Sequence, residues 1–142
     1  METNELHRGR LIDHLQLVVP DLARSKRFYG AVLDALGVPL GGEGPGFFWA
    51  DELFVSDLTS PASAGAQTGR THLAFQAANR EAVERFYRAG LDAGGKDHGA
   101  PGERAYHPGY YAAILLDPDG NNVEAVYHGR AKRSSASVRL TF

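Results

Sequence analysis

The sequence predicts an α+β fold that consists of two similar modules within one domain. The segment that begins at His14, "HLQLVVPDLARSKRFYGAVLDALG", recurs 58 residues later as "HLAFQAANREAVERFYRAGLDAGG" from His72, with ten identities in 24 positions. Average composition would give about one or two identities. Each copy has the pattern of a strand, then a helix, followed by about three strands. The chain of 142 residues has the length of one domain, 1–142, and neither half alone would have much core.

The first module is predicted over residues 11–60. In "IDHLQLVV" the apolar residues Leu15 and Leu17 alternate with His14, which favours a strand with two different faces. Helical spacing and an aspartate N-cap predict a helix over Asp21–Leu36. The turn "GGEGPG" then precedes strands in "FFWA" and "LFVSDLTS". The small, polar segment Pro61–Arg70 is typical of a linker.

The second module is predicted over residues 71–128. The strand "THLAFQA" precedes a helix over Asn79–Gly94, which has an asparagine N-cap. A glycine- and proline-rich loop is expected from His98 to Gly109, long enough to cover a pocket. The strands "YYAAILL" and "VEAVYH" flank the turn "DPDGNN". Residues 129–142 form a basic, serine-rich C-terminal tail whose end could add an edge strand.

Composition excludes several classes of function. The hydrophobic fraction of 43% and the charged fraction of 23% are ordinary for a globular protein, and the net charge of −2 gives no reason to expect nucleic acid or a membrane as partner. No apolar run could span a bilayer, and "METNELHRGR" does not resemble a signal peptide, so we expect a cytoplasmic protein. Without cysteine, any metal would be held by nitrogen and oxygen ligands.

Three residues form a candidate metal site. His14 and His72 occupy equivalent strand positions and the same face, opposite the apolar row, and Gln16 and Gln76, which share that face, are candidates for a substrate pocket. Glu124 interrupts an apolar strand, which is unusual for a carboxylate. Two histidines and a carboxylate suit a divalent ion with open positions. The structural alternatives are two inherited, hydrogen-bonded histidines and a carboxylate at the rim of the sheet.

Four further residues are candidates for a substrate pocket or for catalysis. Trp49 could form an aromatic wall, although core packing explains the same pattern. Arg104 could attract an anionic substrate. His107 and Tyr111 lie in a crowded group of tyrosines and histidine at a Pro-Gly turn, and His107 could act as an acid or base near neutral pH.

The stretches "DHLQLVVPDLARSKRFYGAVLDALG", "THLAFQA" and "LLDPDGNNVEAVYH" resemble the vicinal oxygen chelate superfamily of glyoxalases, bleomycin-resistance proteins and extradiol dioxygenases. The resemblance, which extends to a glyoxalase-like branch of unassigned chemistry, implies tandem βαβββ modules in an open, eight-stranded, barrel-like sheet with helices outside. It also implies a homodimer and one divalent ion (zinc, nickel, manganese or iron(II)) at His14, His72 and Glu124. A small substrate would chelate that ion through neighbouring oxygens.

The sequence departs from glyoxalase I at one position. That enzyme has a further glutamate on the last strand of its first module, which binds metal and acts as a base. Alignment on "DLT" puts Asp57 there, or Ser56 after a shift of one residue. This favours a three-ligand site over a proton-shuttling isomerase. Three hypotheses remain: a metal-dependent enzyme with lyase or isomerase, dioxygenase or epoxide-opening chemistry, a metal-free protein that sequesters a small molecule, and a relic fold used only for association.

Overall fold

The computed structural model describes residues 5–9 and 12–142, so Leu11, where the first module was predicted to begin, lies outside the described residues. In chain order the elements are β1 Glu5–Arg8, β2 Leu15–Val18, α1 Leu22–Ala35, β3 Gly42–Gly44, β4 Phe47–Ala50, β5 Leu53–Ser56, β6 His72–Gln76, α2 Arg80–Asp92, β7 Lys96–Glu103, β8 Tyr111–Leu116, β9 Asn122–Tyr127 and β10 Val138–Thr141.

The strands form two four-stranded sheets with matching topology. The first sheet has the order β2-β5-β4-β3 and the second has the order β6-β9-β8-β7. In each sheet the first pair is parallel and the other two pairs are antiparallel. The mixed α+β class is therefore confirmed, while the joining of eight strands into one barrel-like sheet stays a prediction.

The chain divides into two compact units. The first unit consists of the described residues up to Leu22, together with Val38–Thr68 and Lys132–Phe142, and the second consists of Ala23–Gly37 and Gly69–Ala131. Nearly all of α1 thus groups with the second sheet, although the chain order places it in the first module. The predicted boundaries of the single domain and of its two modules stay predictions.

Both helices form where the sequence predicted them. Asn79 begins α2 as its N-cap, because its side chain accepts a hydrogen bond from the backbone nitrogen of Ala82 at 2.8 Å. Gly90 of α2 allows close packing, since a Cβ there would lie 3.0 Å from Val32 of α1. Neither helix of the described chain has the length and apolarity needed to cross a membrane.

The predicted loop from His98 to Gly109 is largely wrong. Strand β7 occupies its first half and pairs with β8, with irregular register around Gly99. Pairing with a neighbouring strand outweighed the turn propensity of the glycines, which the bulges accommodate. The remaining loop is closed by a hydrogen bond from the backbone nitrogen of Arg104 to the carbonyl of Tyr110, at 2.9 Å. In the predicted tail, β10 pairs antiparallel with β1.

The Asp-Pro-Asp-Gly-Asn turn between β8 and β9 is a buried hydrogen-bond centre. Asp117 accepts bonds from the Tyr29 hydroxyl at 2.6 Å, from the Asn121 side chain at 2.9 Å, and from the backbone nitrogens of Asp119 and Asn121, both at 2.8 Å. Asn121 in turn accepts a bond from Thr71 at 2.9 Å. The turn therefore ties β9 to α1 and to the start of β6, and so holds the strand that carries Glu124.

Candidate functional site

Glu124 is the centre of a polar group on one face of the second sheet. It lies on β9, only 5% exposed, and is paired in register with Ala74 of β6. Its Oε1 accepts a hydrogen bond from the Tyr110 hydroxyl at 2.5 Å, and its Oε2 lies 2.9 Å from Nε2 of His72. A buried carboxylate needs such partners, and here both of its oxygens have one.

The partners of His72 define where its proton lies. Its Nδ1 is 2.8 Å from the side-chain nitrogen of Asn122, which can only donate. The lone pair of the neutral ring is therefore at Nδ1, and Nε2 carries the proton that it donates to Glu124. His72 can offer Nε2 to a metal ion in its other neutral tautomer, which carries the proton on Nδ1.

Tyr110 is held in the protonated form that donates to Glu124. Partial burial, together with the hydrogen bond to Glu124 and the charge of that carboxylate, raises the pKa of Tyr110 to about 12, and the guanidinium of Arg104 acts in the opposite direction. The rings of Tyr106, His107 and His128 surround Tyr110, with centroids 4.9, 5.3 and 5.4 Å away. Aromatic contacts on several sides thus fix the orientation of the phenol.

His107, a predicted catalytic residue, lies at the exposed rim behind Tyr110. Its Nδ1 is 3.0 Å from the carbonyl oxygen of Pro108, and its Nε2 is 2.9 Å from Nδ1 of His128. The contact with the carbonyl requires a proton on Nδ1 of His107, so in the neutral His107 ring Nε2 can accept a hydrogen bond from Nδ1 of His128. A catalytic role for His107 stays a proposal. The sequence analysis did not identify His128.

Tyr111, the other tyrosine candidate, lies on the wrong face of the sheet. Its hydroxyl donates to Glu84 of α2 at 3.0 Å, and the guanidinium of Arg80 lies 4.6 Å from its ring centroid. The side chains of a strand alternate between faces, so its neighbour Tyr110 points to Glu124. The structure therefore brings Tyr110 to Glu124, and a catalytic role for Tyr111 stays a prediction. The contacts with α2 decide which of the two tyrosines faces Glu124, and nothing in the sequence "GYYA" predicts it.

In the first unit, His14 is exposed just before β2. Its Nδ1 lies 2.6 Å from Asp13, and this hydrogen bond lowers the pKa of Asp13. Gln16 donates to the hydroxyls of Ser56 at 2.9 Å and of Ser60 at 3.1 Å. The contacts of His14 and Gln16 are polar, as the alternation along this strand predicted for the face that they share.

Strand pairing gives a residue other than Asp57 or Ser56 as the counterpart of Glu124 in the first sheet. In the first sheet Gln16 pairs with Phe54, as Ala74 pairs with Glu124 in the second. Because Gln16 and Ala74 are equivalent in the repeat, the counterpart of Glu124 is Phe54. Asp57 lies beyond the strand, where hydrogen bonds from Thr59 lower the pKa of its carboxyl. A catalytic role for Asp57 stays a prediction.

A hollow of about 190 Å³ opens on the same face of the first sheet. Phe47 and Phe54 line it with stacked rings, whose centroids are 5.2 Å apart, and the hydroxyl-bearing residues Ser56, Thr59 and Ser60 complete it. This volume is comparable with a cavity that holds one benzene-sized ring. Trp49 shares the half-buried row of Phe47, but its indole packs on Gly42 and does not line the hollow.

The three-ligand metal site is assembled only in part. Within residues 5–9 and 12–142, no three His, Asp or Glu side chains form a group that could hold an ion. His72 and Glu124 are in contact in the second unit, whereas His14 belongs to the first unit. Gln76 is exposed on β6, on the face that carries Glu124. The triad and the pocket role of Gln76 stay predictions.

Comparisons with known proteins agree on one family. The family model described as "Glyoxalase/Bleomycin resistance protein/Dioxygenase superfamily" matches residues 11–125. A glyoxalase/bleomycin resistance protein from Albidiferax ferrireducens T118 is 31% identical, with 82% of this chain and 97% of that chain covered and a TM-score of 0.63.

Two further structures show the same fold at lower identity. A glyoxalase-related enzyme from Fulvimarina pelagi is 18% identical, with 94% and 98% of the two chains covered and a TM-score of 0.66. A glyoxalase/bleomycin resistance protein/dioxygenase family enzyme from Burkholderia phytofirmans PsJN is 23% identical, with coverage of 82% and 97% and a TM-score of 0.63. Among proteins with curated descriptions, none matches the chain.

Proposed function

The chain belongs to the glyoxalase/bleomycin resistance protein/dioxygenase superfamily, and we propose that it is a metal-dependent enzyme that acts on a small molecule with two neighbouring oxygens. The observation that carries this proposal is the contact between His72 and the buried carboxylate of Glu124. A buried carboxylate beside an imidazole is costly to maintain for stability alone, and both groups are ligands that divalent ions accept.

The donor set fits such an ion at the two positions that the second sheet supplies. His72 and Glu124 would hold it, together with His14. The first sheet has Phe54, and therefore no carboxylate base, at the counterpart of Glu124. This supports lyase, dioxygenase or epoxide-opening chemistry over isomerisation by a metal-bound glutamate.

The surrounding residues have definable roles in the proposed site. An ion bound there would polarise the oxygens of the substrate and stabilise negative charge on them. Tyr110 would orient Glu124 through its hydrogen bond, and Asn122 would orient the ring of His72. His107 would be the acid or base at the rim, connected to the carboxylate through one ring contact with Tyr110 and the hydrogen bond of Tyr110 to Glu124.

The proposal is tested by metal titration of the protein after chelation. Zinc, nickel and manganese are added separately and followed by calorimetry, and iron(II) is added under anaerobic conditions. We expect one ion per chain, and we expect His14→Ala, His72→Ala and Glu124→Gln each to lose more affinity than the roughly 10–100-fold that loss of an outer partner costs.

The matched control is Glu84→Gln, which removes the carboxylate that Tyr111 contacts on the opposite face of the same sheet. This variant should bind the ion as the unchanged protein does. Absence of tight binding in the unchanged protein, or equal losses in Glu84→Gln and Glu124→Gln, would contradict the proposal.

The hollow in the first unit favours a second candidate function, the sequestration of a small aromatic molecule without metal. Stacked Phe47 and Phe54 supply an apolar wall, and the hydroxyls of Ser56 and Ser60 supply polar contacts. Uptake of an aromatic compound by chelated protein, unchanged by Glu124→Gln and lost in Phe54→Ala, would favour this alternative.

We also propose that the protein is a homodimer. The support is the edge strands of two four-stranded sheets, which need cover, and the resemblance to a superfamily that usually pairs. Sedimentation of a monomer at high micromolar concentration would contradict it. The cytoplasmic location stays a prediction.

A further inference from the structure

We propose that Arg104 binds the carboxylate of the substrate, so that the molecule on which this site acts is an acid with a neighbouring oxygen. The inference rests on the proposed function, because it names the charge of the molecule bound beside Glu124. It depends on three features of the hairpin β7–β8: the face on which Arg104 lies, the glycines beneath its guanidinium, and its lack of an acidic partner.

The first feature is the face of the sheet. Glu103 pairs with Tyr111, and both contact α2, Tyr111 through Glu84 and Glu103 through Arg80. Arg104 is the next residue and bonds through its backbone to Tyr110. Because successive side chains alternate, Arg104 and Tyr110 lie on the opposite face, which is the face of Glu124.

The second feature is a pair of glycines at the irregular part of β7. A Cβ at Gly99 would lie 3.2 Å from one terminal nitrogen of Arg104, and a Cβ at Gly102 would lie 3.0 Å from the other. Ile114, the partner of Gly99 in β8, is also the partner of Glu124 in β9. The terminal nitrogens of the guanidinium therefore lie close to Gly99 and Gly102, in space that a larger residue at either position would fill. Across the strands, Gly99 and Ile114 lead from this guanidinium to the carboxylate of Glu124.

The third feature is the absence of a neutralising acid. In the described part of the chain, the guanidinium bonds only to carbonyl oxygens, that of Ala100 at 2.8 Å and that of Glu103 at 3.3 Å. Arg80 on the other face of the hairpin forms an ion pair with Glu103 at 2.7 Å. Arg104 thus keeps its full charge and retains N–H donors without an acceptor among the described residues, although it is partly shielded from water.

A carboxylate suits this position better than a phosphate. The planar fork of one guanidinium matches the two oxygens of a carboxylate. The carboxylate of Glu124 on the same face would repel the extra charge of a dianion. A 2-hydroxy or 2-oxo acid would place its carboxylate at Arg104 and direct its neighbouring oxygen towards Glu124 and His72.

The test measures binding of lactate and of its uncharged counterpart lactamide to the ¹⁵N-labelled full chain by nuclear magnetic resonance. Each titration is done on chelated protein and again with zinc added. We expect lactate to bind at least about tenfold more tightly than lactamide, since hydrogen bonds to charged groups contribute at least that factor. Arg104→Met should abolish the difference, and Arg104→Lys should keep only part of it. Arg80→Met, on the helix face of the same hairpin, should leave it unchanged.

Equal binding of lactate and lactamide by the unchanged protein would overturn the inference, and so would a preference that survives in Arg104→Met. Inorganic phosphate that binds more tightly than lactate at the same residue would overturn the carboxylate assignment. A preference that depends on Arg104 in a protein that takes up no zinc, nickel, manganese or iron(II) would support the inference while refuting the metal-dependent function. Metal binding by a protein that binds lactate and lactamide equally would support the metal-dependent function and overturn the inference.

Discussion

The two sheets share one backbone plan and differ in the chemistry of one face. Each has the same strand order, with one parallel and two antiparallel pairs. At the equivalent position of the parallel pair, the first sheet carries Phe54 and the second carries Glu124. The first face is therefore aromatic around a hollow, and the second is a connected group of hydrogen bonds.

The difference extends to the edge strands β3 and β7. Both strands carry glycines on the face that holds Phe54 in the first sheet and Glu124 in the second. In both sheets a planar side-chain group lies over these glycines. In the first sheet the group is the indole of Trp49, 2.7 Å from where a Cβ of Gly42 would be. In the second sheet it is the guanidinium of Arg104 over Gly99 and Gly102. The two modules thus share a close contact between glycines and a planar side chain, which is an apolar ring in the first sheet and a cation in the second.

The turns that join the last two strands also differ. In the first sheet, Asp51 and Glu52 connect β4 to β5, and Asp51 adopts a left-handed backbone with φ of 45°. In the second sheet, the five residues Asp117–Asn121 make the connection through buried side-chain hydrogen bonds. Backbone geometry closes the first turn, whereas a carboxylate organises the second.

Removal of that carboxylate should have the largest effect on stability. Asp117→Ala should lower the free energy of unfolding by about 3–5 kcal/mol, because it leaves buried donors of Tyr29 and Asn121 without an acceptor. Urea unfolding measures this. Asp57→Ala, which removes only the exposed cap of Thr59, is the control and should cost about 1 kcal/mol or less. Similar losses in the two variants would show that the turns are equivalent after all.

A smaller effect is expected from the counterpart of Glu124. Phe54→Ala should lower the free energy of unfolding by about 1–3 kcal/mol, because the side chain is only half-buried and loses one stacked ring. Phe54→Leu should recover much of this loss. If Phe54→Ala cost less than about 0.5 kcal/mol, the aromatic face would not be part of the packing, and a role confined to ligand binding would follow.

The smallest effect should come from the first turn. Asp51→Gly should raise the free energy of unfolding by about 0.5 kcal/mol, since relief of the left-handed conformation exceeds the added freedom of the unfolded chain. Arg8 contacts the backbone carbonyl of Asp51 at 2.8 Å, so this bond should persist. Thermal unfolding checks the sign, and destabilisation would mean that the Asp51 side chain contributes more than its backbone costs.

The sequence was sufficient to predict the elements that depend on local pattern. The two helices and most strands follow from the spacing of their apolar residues and from capping residues, and the repeat follows from direct comparison of the two segments. These signals are local, so each segment shows them without its neighbours. Alternation placed His72 opposite the apolar row of its strand, and the resemblance placed it at one site with Glu124; the two side chains are indeed in contact. Arg104 was identified as a candidate from its charge, without knowledge of its face.

The remaining features depend on pairing between distant segments. Tyr110 and Tyr111 are adjacent, and a one-residue shift exchanges the faces of a strand, so only contact with α2 separates their roles. Pairing with β2 likewise puts Phe54, not Asp57, opposite Gln16. Strand β7 forms from a glycine-rich segment because β8 supplies its hydrogen-bond partners. Such bonds join residues far apart in the chain, where local propensity contains no information about register.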